Sequence, residues 1–149
     1  MRVNAPLIFL HGFLGSNQDW NPVIDLLKKD FDCIALDLYP FLKDASTFET
    51  LSQKIIDSLE EKGFFSFHLI GYSLGGRICL AINQIKKPLS LTILSSHFGV
   101  QDPLEKKARY QRDLRWIEVL KNESLKSFLE KWYEQPIFPP HKKNSYIFR

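Results

Sequence analysis

Short apolar runs alternate with helical stripes through the first two thirds of the chain. Pro6 opens the run Leu7-Ile8-Phe9-Leu10, which reads as a buried strand and breaks at the glycine-rich turn His11-Gly12-Phe13-Leu14-Gly15. From Asp19 to Lys29, Trp20, Val23, Ile24 and Leu27 fall at helical spacing. Cys33-Ile34-Ala35-Leu36 predicts a second strand, closed by Asp37. Ser46 followed by Glu49 has the form of a capping box. Behind it Phe48, Leu51, Ile55 and Leu59 make one helical face, and Gly63 stops the helix. Phe67-His68-Leu69-Ile70 predicts a third strand running into Gly71, Gly75 to Asn83 a helix, and Leu91-Thr92-Ile93-Leu94 a fourth strand. This alternation implies right-handed βαβ units: an α/β fold with a mostly parallel sheet covered on both faces.

After residue 96 the strand signal stops. Asp102-Pro103-Leu104-Glu105 supplies a cap, a first-turn proline and a third-position glutamate, so a long helix is expected to about Leu120. Ser124 can cap another, with Leu125, Phe128, Leu129 and Trp132 on one side, until Pro136, Pro139 and Pro140 break the pattern. No internal repeat or low-complexity segment interrupts the chain.

Composition narrows the picture only a little. With 149 residues, 44% apolar and 25% charged, the chain can bury a sizeable core. The net charge of +3 is spread out, and no basic run is interleaved with aromatics, which argues against nucleic acid. Cys33 and Cys79 both lie in apolar stretches and read as reduced core thiols. The run Leu7 to Leu10 is too short for a signal peptide or a membrane span, so a cytoplasmic address and no membrane partner are expected.

The candidate chemistry centres on Ser73. Gly71-Tyr72-Ser73-Leu74-Gly75 fits G-x-S-x-G, with a β-run before it and a helix after it. A direct turn from strand into helix strains the serine and exposes its oxygen, and small residues two places either side let the backbones pass. The helix N-terminus adds amide donors and partial positive charge. The plain alternative is an ordinary strand-to-helix turn with glycines for packing. The amides of Phe13 and Leu74 are the expected oxyanion hole, one such donor being worth about 3 kcal/mol of barrier. The plain alternative for Phe13 is a core aromatic, and His11 reads as structural. No metal site and no cofactor are expected.

His11 to Trp20 (HGFLGSNQDW) with Gly71 to Arg77 (GYSLGGR) resembles the α/β-hydrolase superfamily. His97 to Gln101, the Arg109/Arg112/Asp113/Trp116 pattern and the string from Trp132 to Phe138 (WYEQPIF) are similar to the lid of the 2-succinyl-6-hydroxy-2,4-cyclohexadiene-1-carboxylate synthases of menaquinone biosynthesis. The resemblance covers about residues 5 to 139 and implies a lyase that eliminates pyruvate from an enolpyruvyl cyclohexene carboxylate. Ser73, paired with a histidine, would be the base. Tyr72, Arg77, Arg109 and Trp132 would bind a small polycarboxylate substrate, Arg being suited to carboxylates by its planar fork. The plain alternatives are solvated surface for Arg77 and Arg109 and core packing for Trp132.

The resemblance also implies a division into a core (1–101), a helical lid (102–140) and a divergent tail (141–149), with the sheet truncated before its last strands. In such enzymes the later strands carry the triad aspartate and histidine. Here His97, His68, His141 and Asp37 are weak substitutes. The expectation is an incomplete enzyme, by a shifted reading frame or a split gene, with a second chain supplying the missing strands. The rival expectations are a carboxylic ester hydrolase and an inactive remnant.

Overall fold

The computed structural model describes residues 5–138. They form two compact units, one ending at Gly99 and one beginning at Val100.

The first unit is built on a four-stranded, all-parallel sheet of order β2-β1-β3-β4. Its strands are β1 (Leu7–Leu10), β2 (Cys33–Leu36), β3 (His68–Tyr72) and β4 (Ser90–Leu94). Leu10 pairs with Leu36 on one side and Gly71 on the other, which fixes the register of the three carboxyl ends. The helices are α1 (Asn21–Leu27), α2 (Tyr39–Leu42), α3 (Phe48–Glu61) and α4 (Leu74–Ile85).

Side-chain alternation sorts the core. Ile8, Leu10 and Leu69 share one apolar cluster with Ile55 and Leu59 of α3 and Ile78 and Ile82 of α4. Phe9 faces the other way and meets Trp20 at 5.0 Å between ring centres. Chain direction explains this: β1 to β2 steps one way along the sheet, while the two later crossovers step the other way. Right-handed crossovers then put α3 and α4 on the face opposite α1.

Several elements differ from the pattern reading. The expected helix from Asp19 is a 3-10 turn, Asn17–Trp20, followed by α1, with Pro22 in the first turn where its missing N–H costs nothing. The cap of α3 is Thr47, not Ser46: its hydroxyl accepts from the Thr50 amide (3.1 Å), and the Thr50 hydroxyl accepts from the Thr47 amide (3.2 Å). Phe48 is therefore the first helical residue and stays 37% exposed. Cys33 is half-buried, whereas Cys79 is fully in the core. The sheet is not covered everywhere: in β4 the alternate positions Ser90, Thr92 and Leu94 are all exposed.

In the second unit, α5 (Pro103–Asn122) starts at Asp102, whose side chain accepts from the Glu105 amide. Ser124 caps α6 (Leu125–Tyr133). Trp116, Phe128 and Trp132 pack ring against ring at 5.0 to 5.7 Å, while Leu125 is exposed. Glu123, between the helices, accepts from Lys131 and Ser127, which hold its carboxyl below the usual range.

Candidate active site

Strand order creates the site. The chain leaves β1 toward β2 and later returns to the far side of β1 as β3, so the loops after β1 and β3 diverge at neighbouring carboxyl ends. Such switch points are where open α/β sheets form crevices. Ser73 stands there, between β3 and α4, with φ 51° and ψ −110°. A non-glycine residue in that region carries roughly 1–3 kcal/mol of strain. The surroundings hold it: the Ser73 amide donates to the Leu94 carbonyl at 2.9 Å, and its own carbonyl accepts from the Arg77 amide at 3.2 Å. A serine at a helix start ordinarily turns its hydroxyl onto the first-turn amides. Here it makes no cap bond, because the backbone is not in the extended conformation that capping needs.

The glycines are where the backbones touch. A Cβ on Gly71 would lie 2.6 Å from the Gly76 nitrogen, and one on Gly76 would lie 2.8 Å from the Ser96 Cβ. A Cβ on Gly12 would lie 3.4 Å from that of Ser73 and 3.0 Å from the Tyr72 ring. The loop carrying Phe13 therefore lies against the nucleophile turn. Phe13 itself is 46% exposed, which removes the core-aromatic alternative for its side chain. Leu74 is the first residue of α4, so its amide heads the helix.

His11 braces this loop. The Leu38 amide donates to its Nε2 at 3.0 Å, which selects the tautomer with the proton on Nδ1, and Nδ1 donates to the Gly12 carbonyl at 2.8 Å. Asp37 lies 3.7 Å from Nε2 and accepts from the Tyr39 amide. Tyr39 packs its ring at a tilt against His11, 5.5 Å between centres, and burial, then the charges of Asp37 and Asp19, push its phenol pKa up. The sequence indicated a structural His11, but its partner Leu38 lies 27 residues away and carries no local signal.

The other candidates are placed as follows. Tyr72 is 48% exposed beside Gly12. Arg77 is half-buried on α4, its guanidinium 4.8 Å from the Phe48 ring centre. Arg109, in the second unit, directs Nε at both carboxylate oxygens of Asp113, at 3.2 and 3.3 Å. Trp132 belongs to the aromatic cluster of that unit. His68 bonds the Ser90 hydroxyl and His97 accepts from the Gly99 amide, so neither is bonded to Ser73. His141 lies outside the described residues. Among the described residues no group of three or more His, Cys, Asp or Glu side chains could hold a metal ion.

A strained serine between a parallel strand and a helix, with a glycine loop from the adjacent strand against it, defines an α/β-hydrolase-type site. The chain belongs to the alpha/beta hydrolase fold family, which matches residues 5–112. It is 35% identical over 139 residues to the 2-succinyl-6-hydroxy-2,4-cyclohexadiene-1-carboxylate synthase of Enterobacter sp. (strain 638), covering 89% of this chain and 53% of the relative. A Haemophilus influenzae relative, provisionally given the same name, is 37% identical over 146 residues, covering 89% of this chain and 57% of the relative. Of solved structures, MenH from S. aureus superposes with a TM-score of 0.79 at 23% identity, over 99% of this chain and 60% of that one, a likeness of fold. The chain thus spans about half the length of the curated relatives it matches. No described helix is long and apolar enough to cross a membrane.

Proposed function

We propose that this chain carries the nucleophile half of a 2-succinyl-6-hydroxy-2,4-cyclohexadiene-1-carboxylate synthase-like lyase. The observation that carries the reading is Ser73 itself, strained at φ 51° with its hydroxyl uncommitted to capping, under the Gly12 loop. Ser73, once paired with a histidine, removes a ring proton from the enolpyruvyl cyclohexene carboxylate. The freed pair forms the ring double bond, the carbon–oxygen bond to the enolpyruvyl group breaks, and pyruvate leaves. The amides of Phe13 and Leu74 stabilise the developing negative charge. Arg77, Arg109, Tyr72 and Trp132 bind the polycarboxylate, the segment 102–140 serves as its lid, and no cofactor takes part.

The activating partner is proposed to come from a second chain that adds strands beside β4, since His11, His68 and His97 all have other partners. Serine is a weak base without such a partner. The test is pyruvate release from the enolpyruvyl substrate by residues 1–149, with and without the C-terminal half of the Enterobacter synthase. We expect no turnover from the chain alone and turnover once it is complemented. Release by the lone chain near the ordinary enzyme rate of about 10 per second would refute the division of labour. Silence in both would favour an inactive remnant, and hydrolysis of neutral esters by the complemented chain would favour an ester hydrolase.

A further inference from the structure

His11 is buried, and its two ring nitrogens are tied to different places. Nδ1 donates to the Gly12 carbonyl, in the loop that lies against Ser73, and Nε2 accepts from the Leu38 amide, just before α2. Only a neutral ring can do both, because a second proton turns Nε2 into a donor facing a donor. An acceptor stands near: Asp37 Oδ1 lies 3.7 Å from Nε2 and already accepts from the Tyr39 amide. A carboxylate oxygen has room for a second bond. The groups are not equally free to move. The Leu38 side chain is fully buried and its carbonyl accepts from the Phe41 and Leu42 amides, whereas the Asp37 side chain is half exposed. The titratable groups around the ring are Asp37 and Tyr39 from the segment after β2, Asp19, whose charge reaches Tyr39, and Tyr72 beside Gly12. Asp37 and Asp19 are the anions that a charged ring would meet.

We propose that His11 is an acid-sensitive latch on the loop carrying Gly12 and Phe13. A proton from solvent adds to the Nε2 lone pair, the Leu38 amide loses its acceptor, and the new N–H turns to the Asp37 carboxylate. Leu38 is anchored in the core, so the ring moves, and the Gly12 carbonyl follows it through Nδ1, which donates in both states. Gly12 lies against Tyr72 and Ser73, so its displacement changes the seat of the nucleophile turn. The loop is in place while His11 is neutral and is released in acid. His11 is a positioning residue acting through Gly12. The consequence for catalysis rests on the proposed reading of the Phe13 amide as an oxyanion donor, but the latch is tested without turnover.

The experiment is an NMR titration of the 149-residue chain from about pH 8 to about pH 4, a span that covers the ordinary range of histidine. It follows the His11 ring nitrogens, the backbone amides of Gly12, Phe13 and Leu38, and the core methyl groups of Ile55 and Leu59. At the start the ring should carry its proton on Nδ1. On acidification Nε2 should gain a proton, and the three amides should shift with the same midpoint while the core methyl groups stay still. Asp37→Asn should lower that midpoint by about half a pH unit, the scale of a partly exposed charge pair. His11→Gln keeps a donor and an acceptor but takes up no proton, so its Gly12 and Phe13 amides should not respond. Tyr39→Phe should leave the response unchanged. Amides that stay still while His11 titrates, a loop response that persists in His11→Gln, or an unmoved midpoint in Asp37→Asn would each overturn the latch. Loss of the core methyl pattern before any change at His11 would overturn it as well. A working latch without pyruvate release by the complemented chain sinks the synthase reading alone; pyruvate release with a loop indifferent to His11 sinks the latch alone.

Discussion

Replacing Gly75 by alanine tests whether close backbone passage builds the nucleophile turn. The added Cβ would sit 2.6 Å from the Leu10 carbonyl carbon and 2.7 Å from the His11 oxygen, where ordinary contact begins at 3.4 Å. The shortfall at these two atoms is about 0.7–0.8 Å, the Leu10 carbonyl oxygen lies nearer still, and all three are backbone, so no rotamer relieves it. Overpacking of this kind costs about 1–3 kcal/mol. Alanine returns up to about 1 kcal/mol through helix propensity, less at a first-turn position. A net loss of about 1–2 kcal/mol follows, or roughly 3–8 °C in the melting temperature of a chain this size. The displaced α4 start would also move the Leu74 amide; on the proposed reading of that amide as an oxyanion donor, a shift near 1 Å costs about a hundredfold in rate. Calorimetry or urea unfolding reads the first effect, and pyruvate release by the complemented chain reads the second. Gly63→Ala is the control: nothing lies within 4 Å of its Cβ position, so only its φ of 84° resists substitution. A Gly75→Ala protein as stable as the parent would refute the close-approach account of the turn.

Three further outcomes are expected. Thr47→Ala should cost about 1 kcal/mol by urea unfolding and Ser46→Ala nearly nothing, since only Thr47 caps α3; equal losses would put the cap elsewhere. Burial pushes the Cys79 thiol from 9.0 up to about 12, so the folded state keeps its proton longer than the unfolded chain does. Its contribution is fully present below pH 9 and is lost as pH rises from 9 to about 12, with a slope of up to about 1.4 kcal/mol per unit; Cys79→Ala should flatten unfolding curves in that window, and an unchanged slope would refute the assignment. Thr92→Lys, placed on the exposed face of edge strand β4, should reduce self-association of the lone chain in sedimentation, as charged edges do; no change would show that β4 is not the sticky edge.

What the sequence disclosed was mostly local. β1 and β2 begin and end where their apolar runs do, because turn residues bound them at once. The elbow was legible because one string of seven residues fixes strand end, serine and helix start together. The cap of α3 was misplaced by one residue because Ser46 and Thr47 both offer a hydroxyl with a polar side chain three positions on, and sequence does not say which frame packs Leu51 and Ile55 inward. Helix α2 was missed: four residues are too few to show a period, and it follows a loop whose Leu38 amide is bound by distant His11. The open face of β4 was written in the alternation Ser90, Thr92, Leu94 against Leu91 and Ile93, but an apolar run looks the same until the coverage of each face is known. Nothing local links Phe48 to Arg77.

The residues that strain Ser73 and those that would activate it are different sets, and only the first is in the described chain. Strain at the turn is held by things the chain owns: the Leu94 carbonyl on the Ser73 amide, glycines that admit the neighbouring backbone, and a histidine whose two nitrogens tie the β1 loop to the segment after β2. Each operates with no substrate present and none requires a base. Proton transfer has no such resident support, because every described histidine has both a place and a partner away from the serine. An oxyanion hole without its base still retains roughly a thousandfold or more over water in comparable serine enzymes. On the proposed function, a correctly shaped elbow in crystals or by NMR together with absent turnover is therefore the outcome expected of the lone chain. A disordered elbow that orders only when strands are added beside β4 would instead mean that the strain is held from outside, and the glycines would then be packing aids and nothing more.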